Sequence, residues 1–136
     1  MRDARPTVLV VEDDPNVRAM MARVLAATCN VAVAADGKAA LWRFATGERF
    51  DVVLCDACMP VMDGAVLLEH LRRLDADQAR RVIVVTGAVD SSPAAQLAGH
   101  FIIEKPFRVP ELRALVDRVC AAARDGYFPA DDATAR

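Results

Sequence analysis

Continuous aliphatic runs recur along the chain, and between them apolar residues return at every third or fourth position. The runs are Val8-Leu9-Val10-Val11, Val52-Val53-Leu54-Cys55, Val82-Ile83-Val84-Val85 and Phe101-Ile102-Ile103. Short unbroken runs rich in β-branched residues predict strands buried on both faces. A thinner run, Val31-Ala32-Val33-Ala34, predicts a strand at a sheet edge. The intervening stretches carry the helical period. Val17, Met20, Met21, Val24 and Leu25 form one stripe, opened by Asp14-Pro15, a capping carboxylate followed by proline. Ala40, Leu41, Phe44 and Ala45 follow Asp36-Gly37, and Leu67, Leu68, Leu71 and Leu74 follow Asp63-Gly64. Leu112, Leu115, Val116, Val119 and Cys120 make the last stripe, with Pro110 near its start. A weaker helix is predicted over 93–98, with Ser92 as its cap and Gly99 as its end.

Five strand-then-helix repeats predict parallel strands joined by right-handed crossovers. The expected architecture is α/β: a doubly wound five-stranded parallel sheet in the flavodoxin-like order 2-1-3-4-5, with helices on both faces. The pattern divides the chain into an extension over 1–6, one domain over 7–124 and a polar, frayed tail over 125–136, with no second domain expected.

Composition narrows the class. Hydrophobic residues make up 54% of the 136 positions and aromatic ones 5%, so the core must be aliphatic. With 17 basic and 19 acidic residues the net charge is −2, which argues against a chain-wide basic surface and direct nucleic-acid binding. No apolar run is long enough to span a membrane, and residues 1–6 lack the apolar core of a secretion signal. No membrane association is expected, and a cytoplasmic location is. Of Cys29, Cys55, Cys58 and Cys120, the middle two form a C-x-x-C, but His70 and His100 do not complete a zinc pattern. Reduced thiols are the better reading, since Asp56 between the pair would raise their pKa values.

In a doubly wound sheet the site lies beyond the carboxyl ends of the strands. Glu12 and Asp13 follow the first strand, Asp56 the third, Thr86 the fourth and Lys105 the fifth. Three converging carboxylates call for a cation, and an all-oxygen donor set suits Mg²⁺, or alternatively Mn²⁺. Asp56 can act as a nucleophile on phosphorus, Lys105 can pair with the phosphoryl charge, and Thr86 offers a hydroxyl. Asp14 is explained by capping and is given no part.

These residues in their settings resemble the receiver domains of bacterial two-component response regulators. The matching stretches are Val8 through Asp14, Asp51 through Gly64 with Met59-Pro60 inside it, Val84-Val85-Thr86-Gly87, and Glu104-Lys105-Pro106-Phe107. The resemblance implies that Asp56 is the phosphorylation site, with Thr86 and Lys105 completing the catalytic set. It implies Mg²⁺ ligands from Glu12, Asp13, Asp56 and the backbone carbonyl of Cys58, and a cis Lys105–Pro106 peptide. The phosphoryl donor would be a histidine kinase or histidine phosphotransfer protein, and the signal would pass to a downstream protein. Such a domain catalyses its own phosphorylation and dephosphorylation and is otherwise no enzyme. Cys58 and Ala88 stand where family members often carry amides or acids, and Ile102 stands where an aromatic ring is usual.

Two other readings stay open at this level. The chain could be the receiver module of a hybrid histidine kinase. A haloacid-dehalogenase-type phosphatase also uses Asp, Thr, Lys and Mg²⁺, but wants a second Asp where Cys58 stands.

Overall fold

The computed structural model describes residues 5–57, 62, 64–87 and 101–126. Its elements in chain order are β1 (Thr7–Val11), α1 (Pro15–Leu25), β2 (Asn30–Ala34), α2 (Gly37–Ala45), β3 (Val52–Asp56), α3 (Gly64–Leu74), α4 (Ala76–Arg80), β4 (Val82–Gly87), β5 (Phe101–Lys105) and α5 (Val109–Asp125). The strands form one parallel sheet in the order β2-β1-β3-β4-β5, as the repeat pattern predicts.

Period-two alternation along the strands divides the core in two. Val8, Val10, Val52, Leu54, Ile83, Val85, Phe101 and Ile103 pack with Met21 and Leu25 of α1 and with Leu112, Leu115, Val116 and Val119 of α5. Leu9, Val11, Val53, Cys55, Val82 and Val84 pack on the other face with Ala40 and Phe44 of α2, Leu67, Leu68 and Leu71 of α3, and Ala79 of α4. The three inner strands are buried on both faces, which is why their sequences read as unbroken apolar runs.

Helix starts follow local chemistry. The Asp14 carboxylate accepts the backbone N–H groups of Asn16 at 2.8 Å and Val17 at 3.3 Å, so its capping role holds. Asp36 does the same for Ala39 at 2.7 Å. At the far end α5 runs through Arg124 and Asp125, into the stretch read as tail, and stops at Gly126 in the left-handed conformation (φ 76°).

The described residues differ from the sequence pattern in two further places. β5 is not buried on both faces: Phe101 and Ile103 face the core while Ile102 is 42% exposed and Glu104 is exposed. The strand lies at the edge of the sheet, as the predicted order has it, and among the described residues only Phe101 and Ile103 of its apolar run join a core cluster. The second difference is α4. It is too short to show a period, and its one buried apolar residue, Ala79, carries no pattern. Asp75 caps it, accepting Gln78 N–H at 3.1 Å. The buried Gln78 side chain then satisfies both backbone groups of Phe50, accepting its N–H at 2.7 Å and donating to its C=O at 2.9 Å. The helix predicted over 93–98 lies outside the described residues.

Candidate functional site

Parallel strands that all point one way deliver their carboxyl ends to one rim of the sheet. β1 delivers Glu12, whose N–H continues the ladder to Ala34 O at 3.1 Å and whose C=O accepts Arg18 Nη1 at 2.9 Å. Arg18 carries no motif signal, and sequence reasoning missed it; only the turn of α1 brings it back onto the end of β1. Asp13 follows and is exposed. β3 delivers Asp56, which is opposite Val85 of β4 and only 6% exposed. Thr86, half-buried, stands one residue beyond Val85, opposite Glu104. Lys105 ends β5 and reaches across the rim, Nζ lying 3.4 Å from Asp56 Oδ2. The Lys105–Pro106 peptide is cis. Cys58 lies outside the described residues.

One carboxylate oxygen from each of Glu12, Asp13 and Asp56 lies within 4.8 Å of the others. Two full charges at that separation repel by on the order of 3 kcal/mol at an effective dielectric near 20. Glu12 registers the cost. Burial first, and then the Asp56 carboxyl as hydrogen-bond partner and charge, push it from its ordinary 4.5 up to about 7; Lys105 and the Asp14 backbone N–H oppose this more weakly. Lys105 cannot offset three carboxylates, and its side chain is 36% exposed, where solvent screens it. A cluster of oxygen donors in which burial and a neighbouring carboxylate oppose ionisation fits a hard divalent cation. The residues present therefore fit the metal that the acidic pattern predicts.

Among the described residues no disulfide joins Cys29, Cys55 or Cys120. Cys55 alternates away from the rim into the second core cluster and is 1% exposed, the opposite of what a reactive thiol needs.

The fold and this rim together define a class, and the comparisons agree with it. The model of the response regulator receiver domain family matches residues 8–117, and the chain belongs to that family. It is 41% identical over 113 residues to the transcriptional regulatory protein PrrA of Mycobacterium tuberculosis, a stretch covering 82% of this chain and 48% of PrrA. It is 30% identical over 118 residues to the sensor histidine kinase TmoS of Ectopseudomonas mendocina, covering 85% of this chain and 12% of TmoS. Among solved structures it superimposes on the receiver domain of a signal transduction histidine kinase from Syntrophus aciditrophicus. That match has a TM-score of 0.76 and 27% identity, and covers 86% of this chain and 91% of the other. The chain thus spans about half of PrrA. The family match leaves the phosphatase alternative without support. Among the described residues, no helix is long and apolar enough to cross a membrane.

Proposed function

We propose that this receiver domain takes a phosphoryl group onto Asp56 from a histidine kinase or histidine phosphotransfer protein and passes the signal to a partner protein by changing conformation. The observation that carries this is the grouping of Glu12, Asp13 and Asp56 within 4.8 Å, with Lys105 Nζ 3.4 Å from the central carboxylate. An Asp56 oxygen forms a bond to phosphorus as the donor's nitrogen–phosphorus bond breaks. The electron pair stays on the donor imidazole, which then takes up a proton. Lys105, already beside Asp56, pairs with the charge that arrives, and Thr86 donates its hydroxyl to a phosphoryl oxygen. Glu12, Asp13, Asp56 and the Cys58 carbonyl would hold Mg²⁺, which supplies neutralisation between carboxylates and phosphoryl oxygens. Phosphoryl transfer needs little beyond such positioning and charge.

The domain acts on itself and turns over no separate substrate, and its output is a protein contact rather than direct binding of nucleic acid. The likeness to TmoS favours one further reading, a receiver acting within a hybrid kinase. Phosphotransfer from a panel of purified kinases separates the two.

The direct test is incubation with acetyl phosphate or phosphoramidate, with and without EDTA, followed by intact-mass analysis. One hydroxylamine-labile phosphoryl group is expected in Mg²⁺, none in EDTA and none on Asp56→Asn. Stoichiometric labelling of Asp56→Asn would falsify the assignment.

A further inference from the structure

Two glycines that the phosphoryl chemistry does not use lie at the starts of neighbouring helices, and both are buried. Neither has a positive φ, so what each needs is space. A Cβ on Gly64 would stand 2.9 Å from the backbone oxygen of Asp56 and 3.1 Å from Ala57 Cα. Gly64 N–H also donates to Ala57 O at 3.1 Å. On Gly37, at the start of α2, a Cβ would stand 2.9 Å from the backbone oxygen of Met62 and 3.0 Å from its Cγ. The two bare Cα atoms thus bear on Ala57, just after the acceptor, and on Met62, just before α3.

We propose that Gly37 and Gly64 are positioning residues for phosphoryl transfer, letting the starts of α2 and α3 close on Met62 and Ala57 beside the acceptor at the end of β3. The inference rests on the reading of Asp56 as phosphoryl acceptor. The two contacts differ in what can yield. Asp56 is locked in the ladder, with Ala57 N–H on Val85 O at 2.8 Å, so a methyl group on Gly64 forces α3 outward. Met62 lies outside the sheet and is half-buried, so a methyl group on Gly37 shifts Met62 and leaves both the sheet and Asp56 in place. Gly37 contributes no side chain to the site and belongs to α2 rather than to the segment that follows Asp56. A displacement of ~1 Å in a reacting constellation can lower a rate by about 100-fold. Relief of a 2.9 Å contact to ordinary van der Waals distance takes about half an ångström, so about 10-fold is expected for Gly37→Ala.

A purely structural role makes a different forecast. A glycine kept only for packing lowers the melting temperature when replaced and leaves the folded fraction fully active. The experiment measures Gly37→Ala, Gly64→Ala and, as a neighbour control, Lys38→Ala by thermal melting. It also measures the acetyl phosphate labelling rate across a Mg²⁺ titration, normalised to folded protein. The clamp is supported if Gly37→Ala melts near the wild-type temperature, labels about 10-fold more slowly at saturating donor and needs more Mg²⁺ for half-maximal labelling, while Lys38→Ala matches wild type. Wild-type rate and Mg²⁺ dependence in folded Gly37→Ala overturn it, and so does failure of that variant to fold. Gly64→Ala is expected to lose both stability and rate; should it unfold, Gly37→Ala alone decides. If wild type itself takes no label on Asp56, the acceptor reading has failed instead, which the Asp56→Asn control makes visible.

Discussion

The two rims of the sheet carry the same kinds of residue in opposite states of balance. At the amino-terminal rim Asp51, Asp75 and Asp77 line a cleft of roughly 220 Å³ together with Arg49 and Arg81. Asp51 accepts Thr7 N–H at 2.8 Å and Thr7 Oγ1 at 3.1 Å, Asp75 pairs with Arg49, and Asp77 pairs with Arg81 at 3.2 Å. The Arg49 hydrogen bond and the capped Gln78 N–H hold Asp75 below its ordinary 3.8. At the carboxyl-terminal rim Glu12, Asp13 and Asp56 crowd around one lysine, and Glu12 is driven upward. Carboxylates matched one to one with donors are structure. Carboxylates gathered in excess of positive charge keep a site ready for a cation and a phosphoryl group, at some cost to stability.

The largest expected effects break this contrast at its centre. Asp56→Asn should abolish labelling and yet raise the melting temperature of the metal-free protein near pH 8, by the equivalent of about 1 kcal/mol, because one repelling charge is gone. A lower melting temperature would show that the rim carboxylates are not in conflict. On the opposite rim, Gln78→Ala strands the buried N–H and C=O of Phe50. At roughly 1–3 kcal/mol for a buried unsatisfied group, a loss on the order of 3 kcal/mol is expected in urea unfolding, with labelling of the folded protein unchanged. Asp75→Ala removes a helix cap and should cost about 1 kcal/mol. Its exposed ion pair with Arg49 adds little.

The smallest effects appear along the pH axis. Folded Glu12 binds a proton more tightly than the unfolded chain does, so between its ordinary 4.5 and about 7 the folded state holds more protons. Stability of the metal-free protein should therefore fall as pH rises through that window and level off above it. Asp75 contributes with the opposite sign: its stabilisation is present above its ordinary 3.8 and is lost as pH falls through its lowered value. A divalent cation held by these carboxylates would favour ionised Glu12, so Mg²⁺ affinity is expected to strengthen from pH 6 to 8, and Glu12→Gln to flatten that slope. Melting curves and calorimetric Mg²⁺ titrations across the range check both signs.

Most of the architecture was legible because it depends on local periodicity. Unbroken runs mark the inner strands, Asp14-Pro15 and Asp36-Gly37 mark helix starts, and their alternation dictates a parallel sheet. Strand order then predicts the meeting of Glu12, Asp13, Asp56 and Lys105, since residues just past parallel strands share one rim. The exposure of Ile102, the short α4 and the seat of Gln78 were not legible. Each depends on what packs over a strand face or which backbone groups a turn leaves open, and neither is recorded in the order of residues along one element. The same holds for Arg18 on the Glu12 carbonyl and for Gly37 against Met62. These contacts join segments that are remote or unpatterned in sequence, and only close packing in three dimensions made a guanidinium or a missing methyl group matter there.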